Sequence, residues 1–185
     1  MLPTIRSRCQ TLTVPVPGNS EANHWLASRV KNLPEDAQPS ADVLAKALML
    51  AGNAPRLALD YATGDFIGLR DTALDRFKDF MKSRIPVGEA ARAFKSMGLE
   101  DTLWLFETWA ADLVRLIVGG SARDADAADM LGFLAKTTPG WRAHELLDMV
   151  KESRAAGVYN ASPELEASRL LIAWQKLMPV KRPAA

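Results

Sequence analysis

The chain has 185 residues, with 23 Lys and Arg against 22 Asp and Glu and a formal net charge of +1. With 48% hydrophobic and 24% charged residues it has the composition of a folded protein and is excluded from the disordered class; the near-neutral balance also excludes a general polyanion binder, though not a local basic patch. A single cysteine, Cys9, excludes an internal disulfide framework and a multi-cysteine zinc site, and fits a reducing compartment.

In chain order, Thr11 to Val16 alternates polar and apolar residues and reads as a short extended segment, stopped by Pro15, Pro17 and Gly18. From Asn19 onward the pattern is helical. Ser20 is expected to cap a helix running to about Asn32, closed by Leu33-Pro34. Pro39-Ser40 opens a second helix with Val43, Leu44, Ala47 and Leu48 at helical spacing, and Ala51-Gly52-Asn53 breaks it. Ala54 to Thr63 forms a third, ended by Gly64. Asp65 then starts a longer helix to about Arg84, with a stripe of Phe66, Leu69, Ala73, Phe77 and Phe80. Ile85-Pro86 separates it from a helix near 87–97, which Gly98 ends. The next carries Leu103, Phe106, Ala110, Leu113 and Ile117, after the acidic start Glu100-Asp101, and stops at Gly119-Gly120. Helices follow over about 125–136 and 141–154. Ser162-Pro163 then opens the last one, whose apolar face is Ala167, Leu170, Leu171, Trp174, Leu177 and Met178. The fold class is all-α: a small three-helix unit followed by a helical bundle, with a short extended N-terminal piece.

The chemistry of an autonomous active site is missing from this pattern. There is no G-x-x-x-x-G-K-[ST] loop, no G-x-G-x-x-G and no H-E-x-x-H. His24 and His144 lie far apart, with no metal-ligand spacing. Asp124/Asp126 and Glu164/Glu166 are spaced i,i+2, which do not face each other on a helix, so both pairs read as solvated surface charge. No apolar run approaches the roughly 18 residues of a membrane span. Residues 1–15 lack the order of a signal peptide, and a cytoplasmic protein with no membrane partner is expected.

One segment carries more information. Leu2-Pro3-Thr4-Ile5-Arg6-Ser7-Arg8-Cys9 ends in a Ser-Arg-Cys triplet at the start of an otherwise helical chain. On spacing alone Arg8 is a solvated charge and Cys9 a buried thiol, with Arg6 the nearest competitor for a phosphate contact. The run resembles the end of the nucleotide-binding domain in bacterial DNA polymerase III clamp-loader subunits of the AAA+ superfamily, where a Leu-Pro run ends in the SRC motif. Ala51-Gly52-Asn53-Ala54-Pro55-Arg56-Leu57-Ala58-Leu59 is similar to the Gly-x-x-x-Arg-x-Ala-Leu region of their lid domain. Gly157-Val158-Tyr159-Asn160 with Leu170, Leu171 and Trp174 resembles the closing helix of the delta prime family within that group. Thr13-Val14-Pro15-Val16-Pro17 suits delta prime better than gamma/tau.

The resemblance implies the C-terminal portion of such a subunit. Residues 1–17 would be a remnant of the nucleotide-binding domain, 18–64 a lid-like three-helix domain and 65–185 a helical collar domain. It implies that Arg8 is an arginine finger offered in trans, with Ser7 and Cys9 positioning it. A guanidinium suits this role because it is always charged and its planar fork of donors matches phosphate oxygens. Arg56 would occupy a sensor-like lid position, although a structural role is favoured here because the chain has no nucleotide loop to sense. Leu170, Leu171 and Trp174 would be core or partner-binding. No cofactor is implied in the chain itself, ATP and Mg being held by partner subunits, and no enzymatic activity of its own. The implied partners are the gamma/tau and delta subunits and, indirectly, the sliding clamp and primer–template DNA. A helical protein-interaction scaffold unrelated to replication is the alternative, followed by a direct nucleic-acid binder.

Overall fold

The computed structural model describes residues 8, 10, 12–156 and 162–179. Among these residues there are nine α-helices and no strand, as the three- and four-residue spacing of the apolar side chains dictates. Residues 12–18 form no helix, and Leu12, Val14 and Val16 stand exposed. The chain divides into two compact units, Met1–Thr63 and Gly64–Ala185.

The first unit holds α1 (Asn19–Val30), α2 (Ala41–Leu50) and α3 (Pro55–Thr63). Helix α1 starts one residue before Ser20, with Gly18 at the N-cap, and the Asn23 side chain bonds Asn19 across the first turn. Ser40 caps α2 by accepting from the Val43 N–H at 3.4 Å. Gly52 and Asn53 leave the helix with positive φ, 61° and 65°, the left-handed exit that these residue types take most readily. Ala22, Leu26, Ala47, Leu48, Leu50, Ala58 and Tyr61 are the buried apolar side chains of this unit.

The second unit is built from α4 (Phe66–Met81), α5 (Val87–Lys95), α6 (Leu99–Ile117), α7 (Ala128–Ala135), α8 (Gly140–Ala156) and α9 (Pro163–Gln175). Helix α6 lies against α7 and α8, and α9 against α5, α6 and α8, so α6 and α9 run through the middle of the bundle. Phe77 of α4 stacks on Trp109 of α6 with ring centroids 4.7 Å apart, and meets Trp174 of α9 edge-on at 5.3 Å. Phe94 of α5 stacks on Phe106 at 5.0 Å. Such pairs contribute about 0.5–1.5 kcal/mol each beyond the area they bury.

Three sequence expectations change. The helix expected over 125–136 is a 3₁₀ turn at Ala125–Ala127 followed by α7, because Asp124 precedes it and its side chain accepts from the Asp126 N–H at 3.2 Å. Asp124 and Asp126 are therefore in a loop and turn, not on one helix, and they converge on a common partner, Arg70. Asp124 is fully buried, not solvated. Glu166 is likewise engaged, accepting from Ser153 Oγ at 2.7 Å and Arg169 Nε at 3.2 Å.

Candidate functional site

Arg8 is exposed and sits in a turn. Ser7 and Cys9, expected to position it, lie outside the described residues, as do Arg6 and the 157–160 stretch. Arg56 stands in the first turn of α3, where its Nε faces Asp60 Oδ1 one turn on at 3.4 Å. Both side chains are exposed, so the pair is a surface helix contact of small energy. Leu170, Leu171 and Trp174 are fully buried. They are core side chains of the bundle, and Trp174 meets Phe77 edge-on. The Trp174 Nε1–H is buried without a partner among the described residues.

The most highly organised polar cluster in the bundle was not singled out by sequence reasoning. Arg70 of α4 is fully buried. Its Nη2 donates to Asp124 Oδ1, and its Nη1 to Asp126 Oδ2 at 2.5 Å and Asp71 Oδ1 at 2.6 Å. Asp124 Oδ2 accepts the Trp109 indole N–H at 3.0 Å. Asp112 of α6 is also fully buried; its Oδ2 accepts the backbone N–H groups of Arg123 and Asp124 at 2.9 and 2.8 Å, and its Oδ1 accepts from Arg115. Burial alone would discourage the Arg70 charge, but the hydrogen bond and charge of Asp124, helped by Asp71 and Asp126, outweigh it and hold the guanidinium above its ordinary pKa. Arg70 thus stays charged at every working pH. Both oxygens of Asp124 and of Asp112 face donors of the chain itself, so the cluster clamps α4, α6 and the segment before α7 together.

A second polar clasp joins α8 to α9. The Ser153 hydroxyl bridges Glu166 and Arg169, and Arg169 Nη2 also donates to the Met149 carbonyl at 3.2 Å. At the other end Arg142 Nη1 reaches the Lys176 carbonyl at 3.4 Å. These pairings make the two helices antiparallel.

Surface concavities flank the bundle. One of about 460 Å³ lies between α8 and α9, lined by Trp141, Arg142, Glu145, Met149, Ile172 and Lys176 among others. Another, about 480 Å³, is bordered by Lys78, Met81, Lys82, Met130, Phe133 and Met178. Near the start of α6 the Asp101 carboxyl is pushed above the usual range, first by burial and then by the charge of Glu100. Among the described residues no three His, Cys, Asp or Glu are grouped to hold a metal ion, and no helix is long and apolar enough to cross a membrane.

No protein-family model matches the chain. Over 130 residues it is 27% identical to DNA polymerase III subunit delta' of Pseudomonas aeruginosa. That stretch covers 70% of the chain and 38% of the length of the Pseudomonas subunit, so the similarity is distant and reaches only part of the relative.

Proposed function

We propose that the chain serves in a bacterial DNA polymerase III clamp loader as a delta-prime-like component. In this reading the bundle of α4 to α9 joins a collar with the gamma/tau and delta subunits. Arg8 is the finger presented to the ATP and Mg held by a neighbouring subunit. The outcome is loading of a sliding clamp onto primer–template DNA in the cytoplasm, and the chain has no catalytic activity of its own. The observation that carries this reading is the similarity to subunit delta' over 70% of the chain. The Ser7-Arg8-Cys9 run and the all-helical architecture support it.

The physical role asked of Arg8 is to offset charge that develops on the transferring phosphoryl group. Arginine fingers of this kind contribute about 10³–10⁵ in rate in well-studied NTPases. The test mixes the full chain with gamma/tau and delta subunits of the same bacterium and reads complex formation and ATP turnover. A stoichiometric complex is expected, and Arg8→Ala should leave it assembled while slowing turnover at the adjoining site. Failure to assemble, or turnover that ignores Arg8→Ala, defeats the reading. The helical scaffold unrelated to replication would then stand, with the exposed apolar residues Trp141 and Ile172 as its motivation.

A further inference from the structure

We propose that the groove between α8 and α9 is a docking site for an acidic amphipathic helix of another protein. The proposal goes beyond the clamp-loader reading and does not depend on it.

The floor of the groove is apolar and its rim is cationic. Trp141 is 59% exposed and Ile172 44%, large values for side chains of this size beside a packed core. Leu146, Met149 and Leu177 continue the apolar lining. Three cations, Arg142, Arg169 and Lys176, border it against one carboxylate, Glu145. Arg169 is occupied by Glu166 and Ser153. Arg142 lies over the Trp141 ring at 5.3 Å and reaches the Lys176 carbonyl. Neither Arg142 nor Lys176 has a carboxylate partner among the described residues. The groove therefore offers two unneutralised positive charges next to exposed apolar surface, the complement of a ligand with carboxylates flanking apolar anchors.

The geometry favours a helix. Leu165, Arg169 and Ile172 of α9 and the C-cap Lys176 fall on one face at spacings of 4, 3 and 4, alternating apolar and basic. Leu165, 71% exposed, extends that line toward the start of the helix. On α8, Trp141 to Met149 is nine residues, about 12 Å of helix rise. Anchors at i, i+4 and i+7 of an incoming helix span about 10 Å, so two turns fill the groove. The two walls are held in place by the Ser153–Glu166–Arg169 clasp at one end and by Arg142 with the Lys176 carbonyl at the other, so the site is formed before a partner arrives. A nucleic-acid strand is less well matched, because two free cations are few for a phosphate backbone and the exposed Trp141 and Ile172 call for apolar anchors.

The test uses the full chain and two labelled helical peptides of about four turns, one with Leu anchors flanked by Glu and the other with Lys in place of every Glu. Fluorescence anisotropy should show saturable binding of the Glu peptide and none of the Lys peptide. Trp141→Ala and Ile172→Glu should each weaken the Glu peptide by at least about tenfold. Both positions are exposed, so circular dichroism and Tm should be unchanged. The double charge reversal Arg142→Glu/Lys176→Glu should transfer preference to the Lys peptide, a result that a merely structural role for these residues would not produce. The proposal is overturned if the Glu peptide fails to bind, if both peptides bind alike, or if Ile172→Glu leaves binding intact. It is also overturned if oligothymidylate binds the groove in the peptide's stead, or if sedimentation shows a dimer that Ile172→Glu dissolves.

Discussion

The bundle has an aromatic side and an ionic side, and Trp109 belongs to both. On the aromatic side Phe77, Phe94, Phe106 and Trp174 meet through ring faces and edges with no polar requirement, apart from the buried Trp174 indole N–H. On the ionic side Arg70, Asp112 and Asp124 are equally buried, but each depends on donors and acceptors at fixed positions. Apolar packing tolerates changes that preserve volume. A buried charge tolerates almost no loss of its partner, because the group left behind is desolvated and unpaired. The aromatic side thus holds through packing, and the ionic side fixes how the segment before α7 lies against α4 and α6.

The largest expected effect tests the ionic side. Arg70→Ala leaves Asp124 buried without its cation and should destabilise the chain by about 3–5 kcal/mol, read from urea melts. Combining Arg70→Met with Asp124→Leu should recover much of that loss, since an apolar pair of similar volume replaces both charges. If the double variant is as unstable as Arg70→Ala, the cluster is needed for more than charge pairing.

On the aromatic side, Trp174→Ala should cost about 3–5 kcal/mol through the cavity it opens. Trp174→Phe should cost less than about 1.5 kcal/mol, because it keeps ring packing and removes an N–H that has no partner among the described residues. Trp109→Phe keeps much of the stack on Phe77 but strips Asp124 Oδ2 of its indole donor, with an expected loss of about 1–3 kcal/mol. A Trp109→Phe loss no larger than that of Trp174→Phe would erase the distinction between the two sides.

The smallest effect lies outside both. The folded-state pKa of Asp101 is raised, so its charged form is disfavoured in the fold. The sign follows: folding binds more protons, and stability gained by neutralising this group is absent below the ordinary value of 3.8 and present above the raised one. Asp101→Asn should raise Tm slightly near neutral pH, with the gain vanishing in acid. A destabilised variant at neutral pH would mean that the helix dipole of α6 outweighs burial.

The sequence reveals these two sides unequally. The spacing of Phe66, Ala73, Phe77 and Phe80 marks the buried face of α4, and all four are buried. Yet the best-placed fifth member is Arg70, four residues after Phe66 and three before Ala73, whereas Leu69 is only half-buried. A guanidinium on an apolar stripe is the signal the sequence offers here, beside the nearby leucine that the helical period also accommodates. Asp112 gives the same signal on α6, three residues after Trp109 on a buried face. Asp124 and Asp126 escape a helical period because they lie in a turn that Asp124 itself caps. The groove residues Trp141 and Ile172 carry no motif, and only the packing of α8 on α9 brings them together. Arg8 is the reverse case, conspicuous through its neighbours in sequence and without any buried setting.

The indole of Trp109 has one further consequence. Its proton is pinned to a carboxylate at 3.0 Å inside a fully buried ring stack. Solvent can reach that proton only when α4, α6 and the loop open together, so its exchange with deuterium follows the cooperative unfolding of the whole bundle and not local fraying. A single resolved indole resonance then serves as a clock for the least stable moment of the molecule, readable under conditions where the protein is otherwise native.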